Sequence, residues 1–187
     1  AAMETEIKPK VLKTINTLTK EYAKLIKYQK EKLDCILNSA SFSTAKEKGY
    51  DKEIQIAALL HDIGHMCESD DRMGDLGVVD HEHVGADYLT EIGFSEKVVA
   101  LVRSHVKTKR YLTAVDVTYK AKLSESSKKT MEYQGGPMTK VEIEEFENDK
   151  YFNDYVRFRE LDELAKVVGM KTRTFKSYRG MMIELLN

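Results

Sequence analysis

At 187 residues the chain is long enough to bury one core and short for two, and 42% apolar with 33% charged residues excludes a disordered tract in favour of a soluble globular protein. Thirty Lys+Arg against 31 Asp+Glu leave no basic field, which argues against binding a nucleic-acid backbone. No apolar run approaches the ~18 residues of a membrane span, and no signal core opens the chain, so a cytoplasmic protein free of the membrane is expected.

Ala1-Ala2 ahead of Met3 suggests that residues 1–8 are disordered or vector-derived, with one helical domain over 9–187. Pro9 opens a strongly amphipathic helix carrying Val11, Leu12, Ile15, Leu18, Tyr22, Leu25 and Ile26. Leu33, Ile36, Leu37 and Ala40 lie on a second, which Gly49 stops. Asp51 caps a third, bearing Ile54, Ala57, Ala58 and Leu60 up to His61. The polar, glycine-bearing stretch 67–80 reads as a loop. Val84, Tyr88, Leu89 and Ile92 predict a fourth helix closed by Gly93, and Ser95 caps a fifth with Val98, Val99, Leu101 and Val102. Residues 128–138 read as a second loop, broken at Gly135-Gly136-Pro137. Thr139 to Glu142 is a capping box. Tyr151, Tyr155, Phe158, Leu161 and Ala165 make a later stripe, and Tyr178, Met181, Met182 and Leu185 a short terminal one. Nothing alternates with period two for long, so the fold class is all-α. Cys35 and Cys67 make no disulfide framework.

All five histidines, His61, His65, His81, His83 and His105, fall between residues 61 and 105. The pair His61-Asp62 ends an apolar run, where a charge and an imidazole are costly unless paired or bound to metal. A carboxylate with two oxygens beside an imidazole can bridge two metals while the imidazole binds one. A single histidine of this kind is ordinarily a satisfied core or surface residue; several at the ends of apolar helices point to a metal site between helices.

Residues 57–65, AALLHDIGH, resemble the HD-domain superfamily of helical metalloproteins. The segments HVKTKRYL (105–112) and EYQGGPM (132–138), with HEHVGADYL (81–89) and RELDE (159–163), narrow the resemblance to the PhnZ-type mixed-valence diiron oxygenases. The resemblance covers about residues 50 to 170. It implies a single-domain helical bundle and an iron- and O2-dependent cleavage of the C–P bond of a small 1-hydroxyphosphonate, such as 2-amino-1-hydroxyethylphosphonate. The products would be phosphate and a carboxylic acid, glycine or a betaine. It implies two iron ions (Fe2+/Fe3+): His61 on the first, Asp62 bridging both, Asp162 completing the first, His81 and His105 on the second. His65 matches a catalytic or substrate-contacting histidine, and Lys109, Ser127 and Arg159 fall where the family grips the phosphonate. A guanidinium suits that task because it binds such an anion bidentately. Tyr28-x-x-Glu31 has the spacing of a tyrosine that caps an iron and a glutamate that recognises the substrate amine. Thr130, Tyr133 and Gln134 are further candidates for the pocket or its loop, with Tyr133 equally a core candidate; His83 falls on no ligand position.

The sequence departs from the family upstream. No histidine precedes residue 61: Cys35 occupies the frame of the family's first histidine, while an ungapped count back from His61 lands nearer Leu37. A thiolate there would change the metal's charge and potential, while the simpler role for Cys35 is a small buried hydrophobe. Two further readings stay open: a metal-dependent phosphohydrolase, and a non-catalytic phosphonate- or phosphate-binding relative with a degenerate first site. The expected partner is a small phosphonate, with the chain a monomer or weak oligomer.

Overall fold

Short-range chemistry sets most helix boundaries in the computed structural model, which describes residues 19, 39–67, 77–165 and 178–186. The chain divides into two compact units, Ala1–Cys35 and Ile36–Asn187. Every described residue except Thr19 belongs to the second unit. The expected helix over 11–26, and Tyr28, Glu31 and Cys35, lie outside the described residues.

Helix α1 (Ser39–Glu47) buries Phe42 and Ala45 and ends at Gly49, whose φ of +73° is open to glycine at no steric cost. Helix α2 (Lys52–Leu60) starts where the Asp51 carboxylate accepts from the Ile54 N–H at 2.9 Å. All its residues from Ile54 on are buried. The chain leaves α2 through His61, turns at Asp62 (φ −95°, ψ 8°) and makes a 3-10 turn, Ile63–Met66. Helix α3 (His81–Glu91) and helix α4 (Glu96–Val115) follow, the latter capped by Ser95. Then come α5 (Val117–Lys122, capped by Asp116), α6 (Glu125–Tyr133, capped by Ser124) and α7 (Lys140–Glu147). At the start of α7 both halves of the capping box between Thr139 and Glu142 form. The series ends with α8 (Phe152–Leu164) and α9 (Arg179–Glu184).

The long α4 is the centre. It packs against α2, α3, α5 and α8, while α1 lies on α2 and α8. Leu101 and Val102 of α4 meet a core that includes Ile56, Leu59, Phe158 and Leu161, all essentially inaccessible. Each such side chain contributes about 1.5–3 kcal/mol by leaving water. Among the described residues one antiparallel bridge joins Phe94 to Leu186, and no helix is long and apolar enough to cross a membrane. The all-α expectation holds.

Two expectations need correction. Residues 128–138 are not a loop: α6 runs to Tyr133, and the turn begins only at Gln134. Helix α6 buries only Met131, so it lacks the apolar period that reveals a helix. Its cap carries the signal instead, since Ser124 Oγ accepts from the Ser127 N–H at 3.1 Å. The stripe of α3 is also displaced. Tyr88 and Ile92 are 44% and 41% exposed, and the packed face is His81, Gly85, Ala86 and Leu89.

That face owes its close approach to glycine. Gly64 of the 3-10 turn sits against the His81 carbonyl and the backbone of Gly85, so that a Cβ on Gly64 would overlap the carbonyl oxygen and lie 2.7 Å from its carbon.

The cap of α2 is also a pH-sensitive element. Burial pushes the Asp51 carboxyl up, but Lys97 at 2.7 Å and the Ile54 N–H outweigh it, and the net displacement is downward. The stabilisation is therefore fully present above the unfolded carboxylate value near 3.8 and is lost as pH falls through the lower folded value. Asp51→Ala is expected to cost about 1 kcal/mol at neutral pH. The difference from the parent should shrink below pH 4 in denaturant titrations; a pH-independent difference would argue against the charged cap.

Candidate metal centre

Three imidazoles converge with the same tautomer, each set by its own backbone. The Nδ1–H of His61 donates to the Ala58 carbonyl at 2.9 Å, that of His81 to Val78 at 3.2 Å and that of His105 to Val102 at 2.7 Å. The carbonyl lies three residues back each time. With Nδ1 committed as donor, each Nε2 presents a lone pair. The Nε2 atoms of His81 and His105 face one another at 3.0 Å. Two lone pairs at that distance repel unless a proton or a cation stands beside them.

Asp62 reaches all three rings. Its Oδ2 is 3.2 Å from His61 Nε2, and its Oδ1 is 3.6 Å from His81 Nε2 and 3.9 Å from His105 Nε2. Asp162 on α8 brings Oδ1 to 3.5 Å from His61 Nε2. One set of donors is thus His61, Asp62 Oδ2 and Asp162; the other is His81, His105 and Asp62 Oδ1. Burial pushes His61 down, but Asp62 and Asp162 outweigh it and hold it up at about 9. The carboxylates demand positive charge at that point. His81, pushed down to about 4 by burial and by His65, and His105, displaced the same way, are neutral. Asp62 is held well below the carboxylate range by the histidines despite its burial. Ionised carboxylates with the neutral imidazoles of His81 and His105, and with His61 once a metal takes the place of its proton, form a donor set that fits divalent or trivalent iron.

The donors line a cavity of about 250 Å³, about eight water volumes. Lys109, Ser127, Thr130, Gln134 and Arg159 line it too. Lys109 Nζ donates to Thr130 Oγ1 at 3.0 Å and to Gln134 Oε1. The next residue, Arg110, grips the turn beyond: Nε donates to the Gly136 carbonyl at 2.8 Å, and a terminal nitrogen reaches Glu142 at 2.7 Å. This explains physically why the segments at 105–112 and 132–138 belong together. One contributes the lysine and the latch, the other the partner and the latched turn.

Arg159 is buried on α8. Its Nη1 donates to Asp162 Oδ2 at 2.8 Å, Nη2 to Glu163, and Nε to the Tyr119 hydroxyl at 2.8 Å. It holds the oxygen of Asp162 that faces away from His61, which orients the other oxygen toward the ring. His65 differs from the three converging histidines. Its Nδ1 accepts from the Val78 N–H at 3.1 Å, and its ring stacks on His81 at 4.1 Å. The ring also lines the cavity wall. Asp62, His65 and His81 also come close enough together to share an ion. His83 is half-buried, does not line the cavity and pairs with Asp80 at 2.7 Å. Tyr133 points away from the cavity and the core, 58% exposed. Tyr119 and Arg110 are the side chains that motif reading missed. Neither stands beside a ligand in sequence, and only the packing of α5 and α6 reveals them.

The family model for the HD domain matches residues 17–143. The chain belongs to the HD-domain family. The matched segment contains the pair His61-Asp62. The match stops short of Arg159 and Asp162, so α8 completes the site from beyond the matched segment. Three relatives stand out. A protein of Acanthamoeba polyphaga mimivirus, named uncharacterized protein L432, is 40% identical over 146 residues, 76% of this chain and 67% of that protein. The [1-hydroxy-2-(trimethylamino)ethyl]phosphonate dioxygenase (glycine-betaine-forming) of Leisingera caerulea is 34% identical over 152 residues, covering 76% and 74%. The hydroxymethylphosphonate dioxygenase of Gimesia maris is 40% identical over 125 residues, covering 65% and 62%, so the match leaves over a third of that enzyme uncovered.

Proposed function

We propose that this protein is an iron- and O2-dependent oxygenase that cleaves the C–P bond of a small 1-hydroxyphosphonate. The observation that carries the reading is the sharing of one cavity by two kinds of residue: the donors around Asp62, and the buried cations Lys109 and Arg159. The names of the Leisingera and Gimesia relatives support the substrate class.

An iron pair, bound through His61, Asp62 and Asp162 on one side and His81, His105 and Asp62 on the other, would supply one-electron and O2 chemistry. The chain's own residues do the rest. Lys109, steadied by Thr130 and Gln134, and Arg159 neutralise the phosphonate through charge-assisted hydrogen bonds. Ser127, half-buried at the start of α6, adds a hydroxyl at the cavity wall. His65 stands at the cavity wall and keeps His81 stacked in place. Asp62 in the bridge region of the backbone is fixed by the helix end before it and the 3-10 turn after it. The overall reaction balances with one O2: the C–H and C–P bonds of the hydroxyphosphonate break, and both oxygen atoms appear in the carboxylic acid and phosphate. Tyr28, as a cap on an iron, and Glu31, as the residue that recognises a substrate amine, remain proposals carried by the resemblance.

The test is phosphate release from hydroxymethylphosphonate, 2-amino-1-hydroxyethylphosphonate and its trimethylammonium analogue by iron-loaded protein, with and without O2. Release only with O2 is the expected result. Release from phosphate esters without O2 would overturn it in favour of the hydrolase; tight phosphonate binding without release would favour the non-catalytic relative. His105→Ala is expected to lose one metal per chain by elemental analysis and to stop turnover; unchanged turnover would remove His105 from the site.

A further inference from the structure

Arg159 is held from three sides by groups that do not themselves line the cavity, apart from Asp162. A guanidinium has five N–H donors. Asp162, Glu163 and Tyr119 take one each, which leaves two for a ligand in a fixed direction. Tyr119 sits half-buried on α5, far from Arg159 in sequence, and its hydroxyl also approaches Glu163 at 3.4 Å. Tyr119 and Glu163 line a second cavity of about 530 Å³, with Leu112, Leu123 and Leu164 on its walls. The clamp on Arg159 therefore stands between the metal cavity and open volume behind it.

We propose that Tyr119 is a positioning residue. Its hydroxyl accepts from Arg159 Nε and keeps the guanidinium turned toward the metal cavity, so that its two remaining N–H groups meet an incoming phosphonate or phosphate oxyanion. Without that hydroxyl the Arg159 Nε–H loses its acceptor, and the side chain gains space in the larger cavity into which it can turn. Asp162 still holds Nη1, so the effect falls on anion binding more than on metal content. The inference deepens the oxygenase reading and rests on it for the identity of the anion.

The test compares wild type with Tyr119→Phe, which keeps the ring, and with Glu163→Gln as an independent second variant. Iron-loaded proteins are titrated under nitrogen with hydroxymethylphosphonate and, separately, with inorganic phosphate. Tyr119→Phe is expected to weaken both about tenfold, as for loss of one hydrogen bond to a buried charge, with iron content unchanged. Glu163→Gln should weaken both in the same direction. Under turnover KM should rise about tenfold while kcat falls less than about twofold, a split that general loosening of the fold would not give. Equal affinity for both anions in wild type and Tyr119→Phe would overturn the proposal. Wild type that binds phosphate but not the phosphonate would overturn the oxygenase reading instead, and the comparison on phosphate would still decide the role of Tyr119. Wild type that binds neither anion would overturn both.

Discussion

Asparagine at position 62 is expected to strip the protein of bound metal. The substitution keeps the shape of the side chain and removes its charge. Asp62 Oδ2 serves His61 and Oδ1 serves His81 and His105, so both sets of donors share this one carboxylate. An amide places an NH2 on one of those sides, facing an imidazole lone pair, and leaves no anion between the sets. Partners that merely orient a ligand are worth about 10–100-fold in affinity, and a shared ligand should exceed that, on the order of 10³-fold or more in activity. Elemental analysis of Asp62→Asn loaded beside wild type gives the result directly. Metal retained at the wild-type ratio would mean that Asp62 does not bridge.

The second large effect lies in packing. Gly64→Ala puts a methyl group into the His81 carbonyl and 2.9 Å from the Gly85 nitrogen. Backbone on both sides leaves no flexible side chain to give way. The 3-10 turn and α3 must then separate, and His81 moves with α3. Overpacking of this kind costs roughly 3 kcal/mol or more, which for a chain of this size lowers Tm by about 6–12 °C. Gly180→Ala is the control: its Cβ meets nothing within 4 Å, and alanine on helix α9 should be neutral or slightly stabilising. A melting curve for Gly64→Ala that overlays wild type would show that the two segments slide apart without cost.

Local chemistry was the most legible part of the sequence. Asp51, Ser95 and the Thr139–Glu142 box cap helices because a side-chain oxygen can satisfy the orphan N–H three residues on. The pair His61-Asp62 was legible for a different reason: a histidine and a carboxylate that end the apolar run of α2 are costly without a shared task, whereas His81 opens the more polar α3 and His105 sits in the middle of α4, so their roles were legible only through the resemblance. What escaped was every feature made by polar surfaces meeting late in the fold. Helices α5 and α6 bury at most one side chain, so no apolar stripe marks them. The reach of Arg110 to Gly136 spans 26 positions and that of Arg159 to Tyr119 spans 40, and nothing at either end announces the other. Tyr88 and Ile92 misled because an apolar residue at helical spacing can still face water when a glycine contact sets the rotation of the helix.

The length of α4 has a consequence for substrate choice. His105 and Lys109 are four residues apart on that one helix, and Arg159 and Asp162 are three apart on α8. On the proposed function each helix thus pairs a metal donor with an anion-binding cation about one 5.4 Å turn away. Helix pitch acts as a ruler: it fixes how far a negatively charged group can lie from the atom that the metal holds. A loop can lengthen by one residue, but a ruler of hydrogen-bonded backbone cannot be stretched by small steps. Selection for new substrates would then act on what hangs beyond the anion, through α6 and the turn that Arg110 holds, while the distance from anion to reacting carbon stays constant.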